Sequence, residues 1–223
     1  MVGGACGGSI TADSVACTMK RTIVLIVLAL VCTVSYMWLD IPVAVAVHQS
    51  ASPWIRLLGA FLEELGKSQW FLVPTLVITI ATWHKRSTSP LPWHHGALFM
   101  AIAVSGIAAN IIKVLASRAR PPLLFSTGEY GFNWLALHTD FAHNSFPSGH
   151  ATTGLALAVV GAMIRPQWRV PFVCIGMSIA VGRVLANVHY LSDVLAGSAL
   201  GATVAWWVVQ RMQAHPSYPN ADR

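Results

Sequence analysis

The chain has 223 residues, 55% of them hydrophobic and only 10% charged, with a formal net charge of +6. A soluble domain carries about a quarter charged residues, so this composition excludes an ordinary water-soluble fold and points to an integral membrane protein. The bases are scattered between apolar runs with no basic stripe. That argues against a nucleic-acid partner and for a topology signal combined with an anion site.

In chain order, residues 1–19 are rich in Gly, Ser, Thr and Ala and read as a disordered tail. Lys20 and Arg21 then precede an apolar run over residues 22–38. That order resembles a signal peptide, but Leu39-Asp40-Ile41-Pro42 follows instead of a clean small-residue cleavage pattern. The run is read as a retained first transmembrane helix. A hydrocarbon core of about 30 Å takes about 20 helical residues, with shorter spans tolerated where the bilayer thins. On that ruler five further spans fall at residues 68–83, 95–115, 148–164, 170–185 and 193–209.

The expected fold is therefore all-α, a polytopic six-transmembrane-helix bundle. Its divisions are a tail at 1–19, two helices and their connection at 20–94, a core at 95–211, and a C-terminal tail at 212–223. Residues 53–65 (PWIRLLGAFLEEL) carry apolar residues at helical spacing, with Arg56, Glu63 and Glu64 as the polar remainder. This segment reads as an amphipathic helix between the first two spans, lying in the membrane interface or packed on the bundle. Trp70, Trp83, Trp93, Trp134, Trp206 and Trp207 fall near span ends, where anchoring aromatics belong. Gly197 and Gly201 allow a close helix contact within the bundle.

The connections divide into two kinds. Lys20-Arg21, Lys85-Arg86, Arg165 with Arg169, and Arg211 mark short basic segments, whereas residues 40–67 and 121–147 are longer and hold most of the acids. The bias in short-loop Lys and Arg places the first set, and both termini, in the cytoplasm. The other face is then extracytoplasmic, periplasmic in a bacterial inner membrane. Of the four cysteines, Cys6 and Cys17 lie in the tail and Cys32 and Cys174 in apolar segments. No CxxC or Cys/His zinc spacing appears, so the cysteines support neither a disulfide framework nor a metal site.

Three fragments carry the chemistry, each at the end of an apolar stretch where unpaired charge is expensive. In the third, Arg183-x5-His189-x3-Asp193, the His and Asp are four apart and can share a helix face if the last helix begins near Leu191. A carboxylate on one ring nitrogen fixes the tautomer and makes the other more nucleophilic. In the second, Pro147-Ser148-Gly149-His150, Pro147 stops the preceding structure and Ser148 suits a helix N-cap. Gly149 lets backbone amides approach an anion, and His150 lies in the first turn as a candidate general acid. In the first, Lys113 and Arg120 are seven apart, two helical turns, and face one way before Pro121 and Pro122 break the helix. Lys offers a point charge and Arg a bidentate fork for phosphate; alone, the pair would read as snorkelling cations. Arg118 between them points elsewhere on such a helix.

Together, in this order, the fragments resemble the type 2 phosphatidic acid phosphatase family, which shares its site with vanadium haloperoxidases. The resemblance covers roughly residues 97–209. It implies that His189 forms a phosphohistidine, Asp193 orients it, and His150 protonates the leaving oxygen. Lys113, Arg120, Arg183 and the Ser148 and Gly149 amides then bind the phosphoryl oxygens. The implied protein is a multi-pass hydrolase acting on a lipid phosphate or pyrophosphate at the extracytoplasmic face, inhibited by vanadate. No metal or cofactor is expected, because Lys and Arg supply the positive charge. Gly182 departs from the Ser the family commonly has before the arginine. Glu129, His138, Asp140 and His143 in the long loop match no family motif and read as solvated polarity or as shapers of substrate choice. Undecaprenyl pyrophosphate, phosphatidylglycerol phosphate, phosphatidic acid and lipid A phosphates all fit. A phosphotransferase, a haloperoxidase and a non-catalytic phosphate binder are the rival readings. The oligomeric state is left open.

Overall fold

In a computed structural model, residues 12–50 and 52–219 are described, and among them the fold is helical throughout with no strand. The first helical stretch comprises α1 (Ala12–Val34), a π-helical turn (Ser35–Leu39) and α2 (Asp40–Ser50). Next come α3 (Pro53–Leu65), α4 (Gln69–Thr82) and α5 (Leu91–Ala116). A short α6 (Pro121–Ser126) opens the long loop, followed by α7 (Gly149–Ile164), α8 (Arg169–Leu185) and α9 (Leu191–Gln213).

Two sequence expectations need correction here. Helix α1 begins at Ala12, so the expected tail is helical over its last residues, while residues 1–11 lie outside the described ones. The first span does not end at residue 38 either. The π turn donates the Asp40 amide to the Ser35 carbonyl, and the helix continues through Pro42 to Ser50. A π turn shifts the hydrogen-bond register, which lets the chain continue where Pro42 suggested a stop. Asp40 is consequently a fully buried helix residue and no loop acid.

Four stretches, Thr22–Ser50, Leu91–Ala116, Pro166–Leu185 and Leu191–Gln213, are long and apolar enough to cross a membrane. Helix α7 is apolar but has 16 residues, and α4 has 14 with Pro74 inside, both below the usual spanning length of about 20. The outer surface carries the side chains a lipid contact requires: Val73, Val77 and Ile80 on α4, Ile107 and Ile111 on α5, and Val170 and Val173 on α8 are all exposed.

Helix α7 is the hub, packed against α5, α8 and α9. Small residues set the spacing. Ala97 and Ala101 of α5, Ala156 of α7 and Ala205 of α9 are buried together with Ile102, Val160, Val209 and Met212. At Gly197 and Gly201 an added Cβ would overlap the Ser148 and Thr152 carbonyl oxygens. The pair therefore works inside the chain, letting α9 lie backbone to backbone on the start of α7. Because α5, α7, α8 and α9 alternate in direction, the C-terminal ends of α5 and α8 meet the N-terminal ends of α7 and α9 at one end of the bundle.

Helix α3 spans Pro53–Leu65, the residues its periodicity indicated, with Ser52 as N-cap and Pro53 in the first turn. It packs on α8. A Cβ on Gly182 would lie 2.7 Å from Leu62 Cβ, so the departure from Ser at this position is a packing requirement of α3 on α8.

Candidate active site

Three neighbouring elements present the third fragment. Arg183 is in the last turn of α8, His189 is in the connection, and Asp193 is in the first turn of α9, which begins at Leu191. Asp193 is fully buried and heavily bonded. Its Oδ2 accepts from the Tyr190 amide at 2.9 Å and the Ser145 hydroxyl at 2.6 Å, and its Oδ1 accepts from Arg118 Nη1. His189 Nδ1 lies 3.6 Å from Asp193 Oδ2 and 3.5 Å from Ser145 Oγ. These are long contacts, of the kind that tighten when substrate binds. They turn Nδ1 toward the carboxylate and leave Nε2 as the nitrogen available for chemistry. Burial drives the His189 pKa well below the ordinary imidazole value, against the pull of Asp193, so the ring is neutral at pH 7.

The second fragment forms the start of α7, with Ser148 at the N-cap position. Its amide donates to the Asp193 backbone carbonyl at 3.0 Å, tying the two motif helices together. The Ser148 hydroxyl does not cap the helix: it is buried with no partner among the described residues. The Gly149 and His150 amides precede the first intrahelical bond, Thr152 N to Ser148 O, so they are helix-terminal donors of the kind that bind anions. His150 Nε2 is buried and also lacks a partner.

The first fragment needs correction. Helix α5 ends at Ala116, and Ser117 adopts a left-handed conformation (φ 42°) that turns the chain inward. Lys113 and Arg120 therefore do not share a helix face. They meet because both donate to one carbonyl, that of Asn144, at 2.9 Å and 3.1 Å. Arg120 also donates to Val188 O at 3.2 Å and stacks on Phe141 at 3.8 Å. Burial and the neighbouring Arg183 lower its pKa to about 10. Arg183 Nη1 lies 3.1 Å from the Glu63 carboxylate of α3, an ion pair by distance, while Nε and Nη1 make no aligned hydrogen bond.

Arg118 was expected to point away, yet it is the most enclosed cation of the site. It pairs with Asp193 and with Asp40 of α2, the latter at 2.7 Å, and donates to Ser192 Oγ at 2.7 Å. Ser192 in turn gives its amide to Asp40 Oδ1 at 2.9 Å, and Ser35 adds a hydroxyl at 3.1 Å. The Tyr36, Tyr130, Phe132 and Tyr190 rings lie 4.5–5.6 Å from the guanidinium carbon. Arg118, Asp40, Ser145, Ser192 and Glu63 thus join the candidate site, and motif reasoning missed them.

Two cavities flank the cluster. One of about 490 Å³ is lined by Gly66, Leu72, Gly106, Asn110 and His150, between α4, α5 and α7. The other, about 620 Å³, is lined by His48, Glu63, Phe125, Asn187 and Val188.

Taken with the spanning helices, this end of the bundle defines a helical membrane protein with a buried cationic, two-histidine centre. Residues 95–216 match the family model of the PAP2 superfamily, and the chain belongs to that superfamily. It is 31% identical over 158 residues to a lipid A 1-phosphatase of Rhizobium johnstonii, covering 66% of this chain and 64% of the relative. It is 30% identical over 177 residues to a lipid A 1-phosphatase of Rhizobium etli, covering 75% and 74%. In fold it resembles a transmembrane PAP2-type phosphatidylglycerolphosphate phosphatase from Bacillus subtilis, with a TM-score of 0.65 and 18% identity over 88% of this chain and 98% of that one. It also resembles LpxE of Aquifex aeolicus, with a TM-score of 0.59 and 19% identity over 77% and 94%.

Proposed function

We propose that the chain is a membrane phosphatase that removes phosphate from a lipid through a phosphohistidine on His189. Nε2 of the neutral ring attacks phosphorus, the bond to the leaving oxygen breaks, and His150, whose protonated form the bound phosphate's negative charge favours, gives that oxygen its proton. Water then attacks the P–N bond, its proton returns to His150, and inorganic phosphate leaves. Lys113, Arg120, Arg183 and the amides at the start of α7 hold the phosphoryl oxygens as charge develops. These groups supply the charge that a metal would bring to phosphoryl transfer, so the reaction is expected to need none.

The observation that carries this reading is the concentration of unsatisfied donors. Arg120 Nε, Arg183 Nε, Ser148 Oγ and His150 Nε2 are buried without partners among the described residues, and Arg183 Nη1 has the Glu63 carboxylate at 3.1 Å. A buried donor left unpaired costs about 1–3 kcal/mol, and several together support the reading of an anionic ligand here.

Lipid A 1-phosphate is the proposed substrate class, supported by the likeness to the two lipid A 1-phosphatases. The remaining parts of the reading are six crossings, with α4 and α7 as short ones, cytoplasmic termini and an extracytoplasmic site. Loop charge supports them. Helix α3 lies in the outer interface, its exposed Trp54, Leu57 and Phe61 toward lipid. Acyl chains enter between α4, α5 and α7, through the cavity that ends at His150.

Phosphate release by the purified protein tests this across lipid A, phosphatidic acid, phosphatidylglycerol phosphate and undecaprenyl pyrophosphate. The expected result is the highest kcat/KM with lipid A and a product lacking the 1-phosphate. Release from none of the four contradicts the reading.

A further inference from the structure

The loop between α6 and α7 brings together three residues that the reaction does not use. His138, Asp140 and His143 offer ligand atoms that all lie within 4.8 Å of one another. His143 Nδ1 is 2.9 Å from Asp140 Oδ1, and His138 Nδ1 is 3.7 Å from Asp140 Oδ2. Tetrahedral zinc with ligand bonds of about 2.0–2.2 Å spaces its donors by about 3.4 Å, between those two values.

The far side of His143 is also arranged for a metal. Its Nε2 meets the Glu129 carboxylate at 3.2 Å, so the ring has one nitrogen toward the cluster and a carboxylate on the other. That is the outer-shell contact that fixes tautomer and ring direction in metal-ligating histidines. The rings of His138 and His143 stack with their centroids 4.5 Å apart, which packs the two side chains against each other. Two imidazoles and one carboxylate select a zinc-like transition ion over magnesium or calcium, which prefer all-oxygen sites.

We propose that His138, Asp140 and His143 bind one zinc-class divalent cation, with Glu129 supporting His143 and the fourth position open to solvent. The site lies outside the phosphate-binding cluster but is joined to it by backbone. Asp140 Oδ1 accepts the His143 amide at 3.1 Å, and its carbonyl accepts from Asn144 Nδ2 at 2.7 Å. The carbonyl of that same Asn144 is the acceptor for Lys113 and Arg120. A bound ion therefore pins the loop that spaces the two cations, and it touches no reacting atom. The proposal is independent of the chemistry assigned to His189.

The test uses the full-length, untagged protein in detergent, stripped with chelator and titrated with Zn²⁺ alone, with Co²⁺ as a visible-spectrum probe. The expected result is one ion per chain and a tetrahedral Co²⁺ band. Binding should weaken at least about a hundredfold in His138→Ala/His143→Ala and about tenfold in Glu129→Gln. Retained phosphate release by the double variant shows that it is folded. Failure of the wild type to bind Zn²⁺, or equal binding by the double variant, overturns the proposal.

Discussion

Two clusters of charge meet at the same end of the bundle, and they are built on opposite terms. Around Arg118 every carboxylate is answered: Asp40 and Asp193 share the guanidinium, Ser35, Ser145 and Ser192 supply hydroxyls, and four aromatic rings exclude water. A few residues away Lys113 and Arg120 lean on backbone carbonyls, Arg183 leans on a partly exposed Glu63, and several donors have no partner. The first cluster fixes where Asp193 and His189 stand. On the proposed function, the second is the cluster that takes the phosphate. The contrast lies in the carboxylates: the first cluster sets two buried ones on its cation, and the second gathers three cations around one half-exposed carboxylate.

The contrast is most easily broken by cutting one cation from each cluster. Arg118→Met leaves two buried carboxylates unpaired and is expected to cost about 3–5 kcal/mol of stability, read by thermal unfolding in detergent. Arg183→Ala is expected to leave the unfolding transition nearly in place and to lower kcat/KM by about 10²–10³. Equal losses of stability in the two variants would erase the distinction.

A smaller effect sharpens it through pH. Burial holds His189 well below its usual pKa, so the folded protein binds fewer protons there than the unfolded chain. The stability linked to this ring is complete above the unfolded value of about 6.5 and is lost as pH falls below it. The acid limb of kcat/KM, if set by His189, lies below that value too. A profile of kcat/KM from pH 4 to 8 should show it, and an acid limb at or above the free imidazole value would contradict the assignment.

How much of this was legible in the sequence depends on how far apart the partners lie. His189 and Asp193 are four residues apart, and Ser148, Gly149 and His150 are contiguous, so local spacing alone predicts that they lie close together. Arg118 pairs with residues 75 and 78 positions away, and no local period connects them. Its inward course depends on the left-handed backbone of Ser117, a residue that gives no sign of it. Asp40 was hidden by Pro42, because a π turn that carries a helix through a proline has no simple sequence mark. Helix α3 was legible to the residue, since Ser52, Pro53 and a clear apolar face agree, yet the approach of Glu63 to Arg183 came only with the packing of α3 on α8. Gly182, a departure in sequence, becomes intelligible through the same packing.

The central claim is that His189 becomes covalently phosphorylated. Rapid quench of the enzyme with a radiolabelled lipid phosphate, followed by peptide mapping in alkali, tests it most directly. The account predicts an acid-labile, base-stable label on the peptide carrying His189, with label and turnover both abolished in His189→Ala, a loss of at least about 10⁴-fold. Label on another residue, or undiminished turnover in the variant, would contradict it.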